Sequence, residues 1–274
     1  MIINSNTLLF VVMGDPVSHS LSPVMHNQAF QEVGYNGVYL AIRVKHIGAA
    51  LAGIKNFDVK GASITIPHKV SVMEFLDELD DNAEKIGAVN TIVNRGGILT
   101  GYNTDCLGAV KALFEKTSIK GKDVVIIGAG GAARAIGFGI ISEGGHVTIT
   151  NRTEKKGEEL AADLEAKFLP LSALEKIGGQ ILINTTAVGM TPEIDAMPIK
   201  EESLDRSMVV MDVVYNPLKT RLLKAAENIG CTIVDGLSMF VYQGACQFEL
   251  WTNKRAPVEA MRKAVLKALQ VKSA

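Results

Sequence analysis

The sequence predicts an α/β protein of two domains. Its 274 residues exceed the usual length of a single domain. Apolar, strand-like runs alternate with amphipathic helical segments, and this alternation is typical of β-α units around a mostly parallel sheet. A polar, glycine-containing break at 116–123, KTSIKGKD, separates a first set of these units from a second.

The first set predicts strands and helices in alternation. The strands are expected at 8–14, 37–44, 61–67 and 91–94. The helices are expected at 23–34, 46–57, 70–79 and 107–116. Each strand run is rich in Val, Ile and Leu, and each helical segment repeats its apolar residues every three or four positions.

The second set continues the same pattern. Its strands are expected at 124–128, 146–151, 181–187, 209–215 and 231–236. Its helices are expected from 131 to about 142 and at 155–166, 221–230, 238–253 and 258–270. The last two helices are apolar-periodic and are separated by Arg255, Ala256 and Pro257.

Composition and charge exclude several kinds of protein. Hydrophobic residues make up 47% of the chain, charged residues 21%, and the net charge is -1. A protein that binds nucleic acid or an anionic membrane needs a basic excess, so neither partner is expected. No apolar run is long enough to span a bilayer, and the N-terminal run lacks the basic flank of a signal peptide.

Cysteine and histidine usage points to a reducing compartment without a metal site. The cysteines Cys106, Cys231 and Cys246 are far apart and form no CxxC pair, which is typical of a cytoplasmic protein. The five histidines have no ligand spacing with cysteine or paired acids. We therefore expect no bound metal.

The stretch VVIIGAGGAARA, which begins at Val124, predicts a dinucleotide-binding turn. Gly128, Gly130 and Ala133 form G-x-G-x-x-A between a β-branched strand and a helix, the context that this fingerprint requires. The first glycine allows the tight turn, the second lets the backbone approach a pyrophosphate, and Ala133 allows close helix–strand packing. The sequence therefore predicts a Rossmann-type unit.

The end of the next strand indicates which dinucleotide binds. An acidic residue there would bind the ribose 2′-hydroxyl of NAD, whereas an arginine suits the 2′-phosphate of NADP. The chain has Asn151, Arg152 and Thr153 at this position, followed by Lys155 and Lys156. Arg152 can stack on the adenine and form a forked contact with a phosphate. We therefore expect NADP(H).

Polar residues follow strands of the first set, where open α/β sheets place their ligands. Each has a plain structural alternative, since Ser22 could cap a helix, Asn and Asp favour turns, and Asp105 could cap the helix that follows it. Together they suit a small, hydroxyl-rich, uncharged to anionic substrate. These residues are Ser20, Ser22, Thr65, Lys69, Asn90, Asn103, Thr104 and Asp105.

The motifs that carry these residues resemble those of the shikimate dehydrogenase family. They occur in the family's order, from Ser20 to Trp251, and cover nearly the whole chain. The motifs are HSLSP (19–23), SITIPHK (63–69), GAVNT (87–91), GYNTD (101–105), GAGGAA (128–133), NRT (151–153), DVVYNP (212–217), DGLSM (235–239) and YQGACQFELW (242–251).

The resemblance implies a fold and an activity. An N-terminal α/β substrate domain, 1–104, would be completed by the C-terminal helices, 239–274, which return to it. Residues 105–238 would form the NADP-binding Rossmann domain. The implied reaction is the reversible NADPH-dependent reduction of 3-dehydroshikimate to shikimate in aromatic amino-acid biosynthesis, by a monomer or homodimer.

The resemblance also implies the roles of individual residues. Ser20 and Ser22 would bind the substrate carboxylate with Tyr215 nearby, and Lys69 and Asp105 would form the catalytic pair. The ring hydroxyls would be held by Lys69, Asn90, Asp105 and Gln243, with Thr65 beside them. The cofactor would be bound by Gly128, Ala129, Gly130, Gly131, Ala132, Asn151, Arg152, Thr153 and Lys156, and around the nicotinamide by Val213 and Gly236.

The residues leave some alternatives open. Lys69 and Asp105 would exchange protons as one coupled unit, and the sequence does not decide which of them releases the proton. His68 is expected to point away from Lys69 on an extended segment. Rival functions are a quinate/shikimate dehydrogenase of broader range, a non-catalytic NADP or shikimate sensor, and an unrelated Rossmann enzyme. The HSLSP and YQGA segments have no role in the last of these.

Overall fold

A computed structural model describes residues 3–174 and 179–273 of the chain. It divides into two compact units, one of residues 1–104 and 243–274 and the other of residues 105–242. Both units are built from strands and helices, so the predicted α/β class is confirmed. The chain passes from the second unit back to the first between residues 242 and 243, inside a helix.

The first unit begins with a mixed sheet and three helices. Its elements up to residue 104 are β1 (Leu8–Gly14), α1 (Ser22–Glu32), β2 (Gly37–Arg43), α2 (Ile47–Asn56), β3 (Gly61–Ile64), a 3-10 turn (Ser71–Phe75), β4 (Glu78–Leu79), α3 (Asp81–Ile86), β5 (Thr91–Arg95) and β6 (Ile98–Tyr102). The strand order is β2-β1-β3-β5-β6-β4. β1 pairs in parallel with β2 and β3, and β5 pairs antiparallel with β3 and β6.

The second unit contains a fully parallel sheet. Its elements are α4 (Asp105–Phe114), β7 (Asp123–Ile127), α5 (Gly131–Ser142), β8 (His146–Thr150), α6 (Glu154–Asp163), β9 (Lys167–Phe168), β10 (Ile181–Asn184), β11 (Val209–Asp212), α7 (Arg221–Ile229), β12 (Thr232–Val234) and the start of α8 (Gly236–Thr252), with 3-10 turns at Leu171–Ala173 and Glu201–Ser203. The strand order, β12-β11-β10-β7-β8-β9, is that of a doubly wound dinucleotide-binding fold.

Both faces of the second sheet are covered by apolar side chains. Ile126 and Ile183 belong to one buried cluster, and Val125 and Leu182 belong to another. Alternate residues of a strand point to opposite faces, so a sheet with two covered faces needs continuous apolar strands. This requirement explains the unbroken VVII and ILI runs of β7 and β10.

The last part of the chain rejoins the first unit. Gln247 and Trp251 lie one turn apart on α8, and their side chains donate to the carbonyl oxygens of Asn90 and Ile92 at 3.2 and 2.9 Å. The final helix, α9 (Val258–Ser273), packs against α1. The predicted return of the C-terminal helices to the first domain is therefore confirmed.

In the first unit, where the sheet is more mixed than predicted, two segments differ from the sequence-based expectation. The first is β6, which the sequence analysis missed. Gly96 and Gly97 join β5 to β6 and both have positive φ, +63° and +91°, as a two-residue hairpin turn requires. The Gly-Gly pair between apolar runs was the available signal.

The second segment is 70–79, where the predicted helix is wrong. A 3-10 turn and the short strand β4 occupy it instead. Asp77 accepts the backbone N–H of Leu99 at 2.7 Å, which ties this segment to the sheet. Asp80 then caps α3, a helix that was not predicted, by accepting the N–H of Asn82 at 3.0 Å.

Candidate functional site

The turn after β7 has the geometry that a dinucleotide-binding turn requires. Gly128 has a φ of +122°, a conformation that other residues rarely adopt, and its N–H donates to the carbonyl of Thr150 at 2.8 Å. Gly130 caps α5, and a Cβ built on it would meet nothing within 4 Å. Ala129 and Gly130 therefore present open backbone directly before a helix N-terminus, where phosphates bind.

The turn lies at the point where the strand order of the second sheet reverses. β7 has β8 on one side and β10 on the other, and open α/β sheets bind ligands where such neighbours diverge. Thr185 follows β10 and borders Gly128, because a Cβ on Gly128 would lie 2.3 Å from Thr185 Oγ1. The sequence analysis missed Thr185 and Thr186, although their place after a strand was a usable signal.

The segment after β8 presents a basic side chain at a helix start. Asn151 donates through Nδ2 to the carbonyl of Thr153 at 2.9 Å, which shapes the turn into α6. Arg152 is exposed and forms no hydrogen bond or ion pair with any residue in 3–174 or 179–273. Thr153 precedes α6 without capping it through its side chain, and Lys156 is exposed in the first turn. Cationic groups and backbone N–H groups thus gather where an anion could bind.

Val213 and Gly236 lie together in the second unit. A Cβ on Gly236 would come within 2.6 Å of the Val213 carbonyl oxygen and 2.5 Å of the Val214 carbonyl oxygen. Because no side chain fits there, Gly236 is required for this backbone approach. Val213 is half-buried, and its N–H donates to the carbonyl of Asn184 at 3.0 Å.

Asp212, to which the sequence analysis assigned no role, holds the loop that carries Val213. Its carboxylate accepts hydrogen bonds from Asn184 Nδ2 at 3.0 Å, Val214 N at 3.0 Å and Thr220 Oγ1 at 2.7 Å. Burial raises the pKa of Asp212 to about 6, and the three donors oppose this shift. The same loop carries Tyr215, whose ring stacks on Phe240 with centroids 4.4 Å apart.

Ser20 and Ser22 lie at the start of α1. The helix begins at Ser22 with Leu21 as its N-cap, so the alternative that Ser22 is a simple cap is wrong. Ser20 Oγ instead accepts the backbone N–H of Ser22 at 3.2 Å. Ser22 is buried, and its hydroxyl lies beside that of Tyr39.

Lys69 lies in the turn that follows β3. Its carbonyl oxygen accepts the N–H of Val89 at 2.7 Å, and its side chain is half-buried, as is that of Thr65. His68 is buried, and its Nε2 lies 2.7 Å from the carbonyl oxygen of Val44, to which the ring donates. The segment is a turn rather than the extended chain that we expected.

Asn90 is the centre of a buried group of polar side chains in the first unit. Its Oδ1 accepts the backbone N–H of Thr104 at 2.8 Å and the hydroxyl of Thr91 at 2.7 Å. Its Nδ2 donates to Thr104 Oγ1 at 3.0 Å. Asn103 donates through Nδ2 to the carbonyl of Ala88 at 2.8 Å and is buried too. Gln243, from α8, is also buried and belongs to this unit.

Asp105 begins α4 in the second unit. It is 5% exposed and lies in the first turn of the helix, where the helix dipole stabilises a carboxylate. The neighbouring thiol of Cys106 keeps its proton, because burial and the charges of Asp105 and Glu143 raise its pKa to about 11. Lys69 belongs to the first unit and Asp105 to the second.

His26 is an inert imidazole in the core of the first unit. It is fully buried and stacked on Tyr39 at 4.5 Å. Burial lowers the pKa of His26 to about 3, so the ring stays neutral. The nearby Gln247 amide opposes part of this lowering of the His26 pKa. Neither ring nitrogen of His26 makes a well-formed hydrogen bond with a described residue.

In residues 3–174 and 179–273, no group of three or more His, Cys, Asp or Glu side chains could hold a metal ion. Within the same ranges, every helix is too short or too polar to cross a membrane.

The fold and these residues define a class of protein, the dinucleotide-dependent oxidoreductases that have a separate substrate-binding unit. Three family matches cover most of the chain. Residues 12–92 match "Shikimate dehydrogenase substrate binding domain", residues 109–218 match "Shikimate / quinate 5-dehydrogenase", and residues 236–266 match "Shikimate 5'-dehydrogenase C-terminal domain". The chain belongs to the shikimate dehydrogenase family.

Individual relatives agree with this assignment. The shikimate dehydrogenase (NADP(+)) of Methanosarcina acetivorans is 46% identical, over 96% of this chain and 99% of its own. A crystal structure of shikimate dehydrogenase in complex with NADP+ has a TM-score of 0.94 at 42% identity and covers 98% of both chains. The Thermus thermophilus enzyme, solved with NADP(H) and shikimate, has a TM-score of 0.90 at 34% identity, covering 96% of this chain and 100% of its own.

Proposed function

We propose that this chain catalyses the reversible NADPH-dependent reduction of 3-dehydroshikimate to shikimate, a step toward chorismate and the aromatic amino acids. The observation that carries the proposal is that the family similarity runs through both units, at 12–92, 109–218 and 236–266. Similarity in the dinucleotide-binding unit alone would not distinguish one substrate from another.

The cofactor would bind along the carboxyl end of the parallel sheet of the second unit. Gly128 to Ala132 would hold the pyrophosphate, because the backbone is open at Gly130 and the segment leads into the first turn of α5. Asn151, Arg152, Thr153 and Lys156 would hold the adenosine 2′-phosphate. The exposed guanidinium of Arg152, with no protein partner in the described residues, supports this role. Val213 and Gly236 would border the nicotinamide.

Polar side chains at strand ends and helix starts would bind the substrate. Ser20 and Ser22 would hold the carboxylate, with Tyr215 nearby. Because Ser20 Oγ accepts the Ser22 N–H, its own hydroxyl hydrogen remains available for a carboxylate oxygen. Lys69, Asn90, Asp105 and Gln243 would hold the ring hydroxyls, with Thr65 beside them.

Lys69 and Asp105 would supply the acid–base chemistry. When NADPH is bound, it supplies the hydride that adds to the ketone carbon. The ketone oxygen then needs a proton, which the coupled Lys69–Asp105 pair would deliver in reduction and remove in oxidation. His26 and His68 are unsuited to this role, because both are buried and the Nε2 of His68 is bonded to a backbone carbonyl.

The working environment would be the cytoplasm, with no nucleic-acid or membrane partner. The three cysteines support a reducing compartment, since Cys106, Cys231 and Cys246 are far apart in the sequence and form no CxxC pair. The net charge of -1 supports the absence of polyanionic partners. The enzyme would act as a monomer or homodimer.

A steady-state assay tests the function. The purified chain is given shikimate or quinate with NADP or NAD, and the absorbance of the reduced nicotinamide is followed. The proposal predicts the highest kcat/KM for shikimate with NADP. A higher value for quinate or NAD would instead identify a broader quinate/shikimate dehydrogenase. Calorimetric binding of NADP or shikimate without any turnover would identify a sensor.

A further inference from the structure

A chain of hydrogen bonds runs through the core of the first unit and ends at Asn90. The hydroxyl of Tyr39 donates to Ser63 Oγ at 2.5 Å, and Ser63 Oγ donates to Gln247 Oε1 at 2.8 Å. Gln247 Nε2 donates to Thr91 Oγ1 at 2.9 Å, and Thr91 Oγ1 donates to Asn90 Oδ1 at 2.7 Å. The series of hydrogen bonds therefore ends at the side-chain amide of Asn90, the group that would hold the ring hydroxyls of the substrate.

The direction of this chain is fixed at Gln247. Its Nε2 also lies 3.2 Å from the backbone carbonyl oxygen of Asn90, and a carbonyl can only accept. The nitrogen of the Gln247 amide must therefore face β5, and its oxygen must face Ser63. Burial raises the pKa of Tyr39, so this hydroxyl keeps the proton that it donates to Ser63.

The fixed direction decides how Thr91 uses its hydroxyl. One lone pair of Thr91 Oγ1 accepts the N–H of Gln247, and its hydrogen is directed to Asn90 Oδ1 at 2.7 Å, which is closer than the other acceptor, Thr104 Oγ1, at 3.3 Å. The backbone N–H of Thr104 donates to Asn90 Oδ1 as well, at 2.8 Å. The hydroxyl of Thr104 also donates to this oxygen, at 3.2 Å, so the amide of Asn90 cannot rotate by 180° without losing its hydrogen bonds from Thr91 and from the Thr104 backbone.

Asn90 is therefore held as a donor. Its Nδ2 uses one hydrogen for Thr104 Oγ1 at 3.0 Å, and no other residue in the described ranges accepts from this nitrogen. The second N–H is available for a ligand oxygen. An amide with this orientation suits a hydroxyl or carbonyl oxygen that accepts, and it disfavours a ligand group that can only donate.

We propose that Gln247 is a positioning residue for substrate recognition. It does not touch the substrate, but it fixes Thr91 as a donor and thereby fixes the Asn90 amide with its N–H toward a substrate oxygen. The inference rests on the proposed function, because it concerns how shikimate is recognised. It adds to the site a residue of α8, within the motif YQGACQFELW, to which the family resemblance assigned no role.

The test uses two variants of the hydrogen-bond chain and one control. Gln247→Met keeps the volume and removes the amide, and Thr91→Val keeps the shape and removes the hydroxyl. Trp251→Phe is the control, because Trp251 is one turn further along α8 and also donates to a β5 carbonyl, that of Ile92 at 2.9 Å. This variant removes an equivalent hydrogen bond between helix and strand and leaves the hydrogen bonds of the Asn90 amide in place.

The measurements are kcat and KM for shikimate, KM for NADP, the calorimetric Kd for shikimate and the Tm. Gln247→Met and Thr91→Val are expected to raise the KM and Kd for shikimate about three- to ten-fold, the factor of one ordinary hydrogen bond, and to leave the KM for NADP unchanged. Trp251→Phe is expected to lower the Tm and leave the KM and Kd for shikimate unchanged.

A double-mutant cycle separates positioning from general loosening of the core. In an Asn90→Ala background, Gln247→Met should change the Kd for shikimate by less than about two-fold, because its effect acts through the missing amide. Wild-type affinity in Gln247→Met, or an equal loss in Trp251→Phe, overturns the inference while wild-type turnover still supports the proposed function. A wild-type chain that neither binds nor oxidises shikimate overturns both.

Discussion

Gly128 lies so close to Thr185 that a Cβ on the glycine would come within 2.3 Å of the threonine Oγ1. The contact joins the ends of β7 and β10, where the strand order reverses. Gly128 and Gly130, the two glycines of the turn, therefore have different roles. Gly128 is required by the fold, since it has a φ of +122° and no room for a side chain, whereas Gly130 has open space and a φ of −94°.

The two glycines therefore predict different phenotypes. Gly128→Ala should lower the Tm, by several degrees or more, because it combines backbone strain with a steric clash. Gly130→Ala should leave the Tm nearly unchanged and raise the KM for NADP, because its Cβ would occupy the approach of the pyrophosphate. Thermal unfolding and steady-state kinetics check both variants. The opposite pattern would mean that Gly130 supports the fold and not the cofactor.

The second unit could be predicted from sequence in most of its elements because its signals are local. β7, α5 and β8 follow from apolar runs and from glycines at fixed positions. The first unit was harder, because β4 is short and held by a hydrogen bond from Leu99 to Asp77, which are distant in sequence. No local pattern encodes such a contact.

The same distinction applies to the candidate site. Ser20, Lys69 and Asn90 each belong to a recognisable motif, so sequence could nominate them. The support behind Asn90 depends on Ser63 and Gln247, which are 184 positions apart and become neighbours only in the folded unit. Asp212 likewise has partners on β10 and at the N-cap of α7. Neither arrangement has a period or spacing that a single sequence reveals.

Arg152→Ala should separate the two nicotinamide cofactors. The variant is expected to raise the KM for NADP about 10- to 100-fold, the range for a charge-assisted hydrogen bond to phosphate, and to leave the KM for NAD nearly unchanged. The KM for NADP of Arg152→Lys should fall between the values of wild type and Arg152→Ala, because lysine keeps the charge and loses the forked geometry. Kinetics with both cofactors provide the measurement. An equal loss for NAD and NADP would show that Arg152 stacks on the adenine or supports the loop.

Lys69→Ala should reduce turnover far more than substrate affinity. General acid–base groups contribute about 10²–10⁴ in rate, so kcat should fall within that range while the calorimetric Kd for shikimate changes much less. Asp105→Asn should have a similar effect. The proposed coupling of Lys69 and Asp105 predicts that the double variant is little worse than the poorer single variant. Near-normal turnover in Lys69→Ala would contradict the assignment of the pair.

Asp212 should make the stability of the protein depend on pH. Its pKa is about 6 in the folded protein against an ordinary value of 3.8, because burial outweighs the donors from Asn184, Val214 and Thr220. A raised folded pKa stabilises the fold below about pH 4, and this contribution is lost as the pH rises through 6. The loss amounts to roughly 3 kcal/mol in the free energy of unfolding.

The variant Asp212→Asn tests this dependence. Asparagine keeps an oxygen for the donors of Asn184 and Val214, and its amide can donate to Thr220 Oγ1, but it does not ionise. Urea unfolding of both proteins from pH 4.5 to 7 should show wild type losing stability relative to the variant as the pH rises. Parallel curves would mean that the carboxylate is ionised throughout this range, since the hydrogen bonds from Asn184, Val214 and Thr220 would then fully offset the cost of its burial.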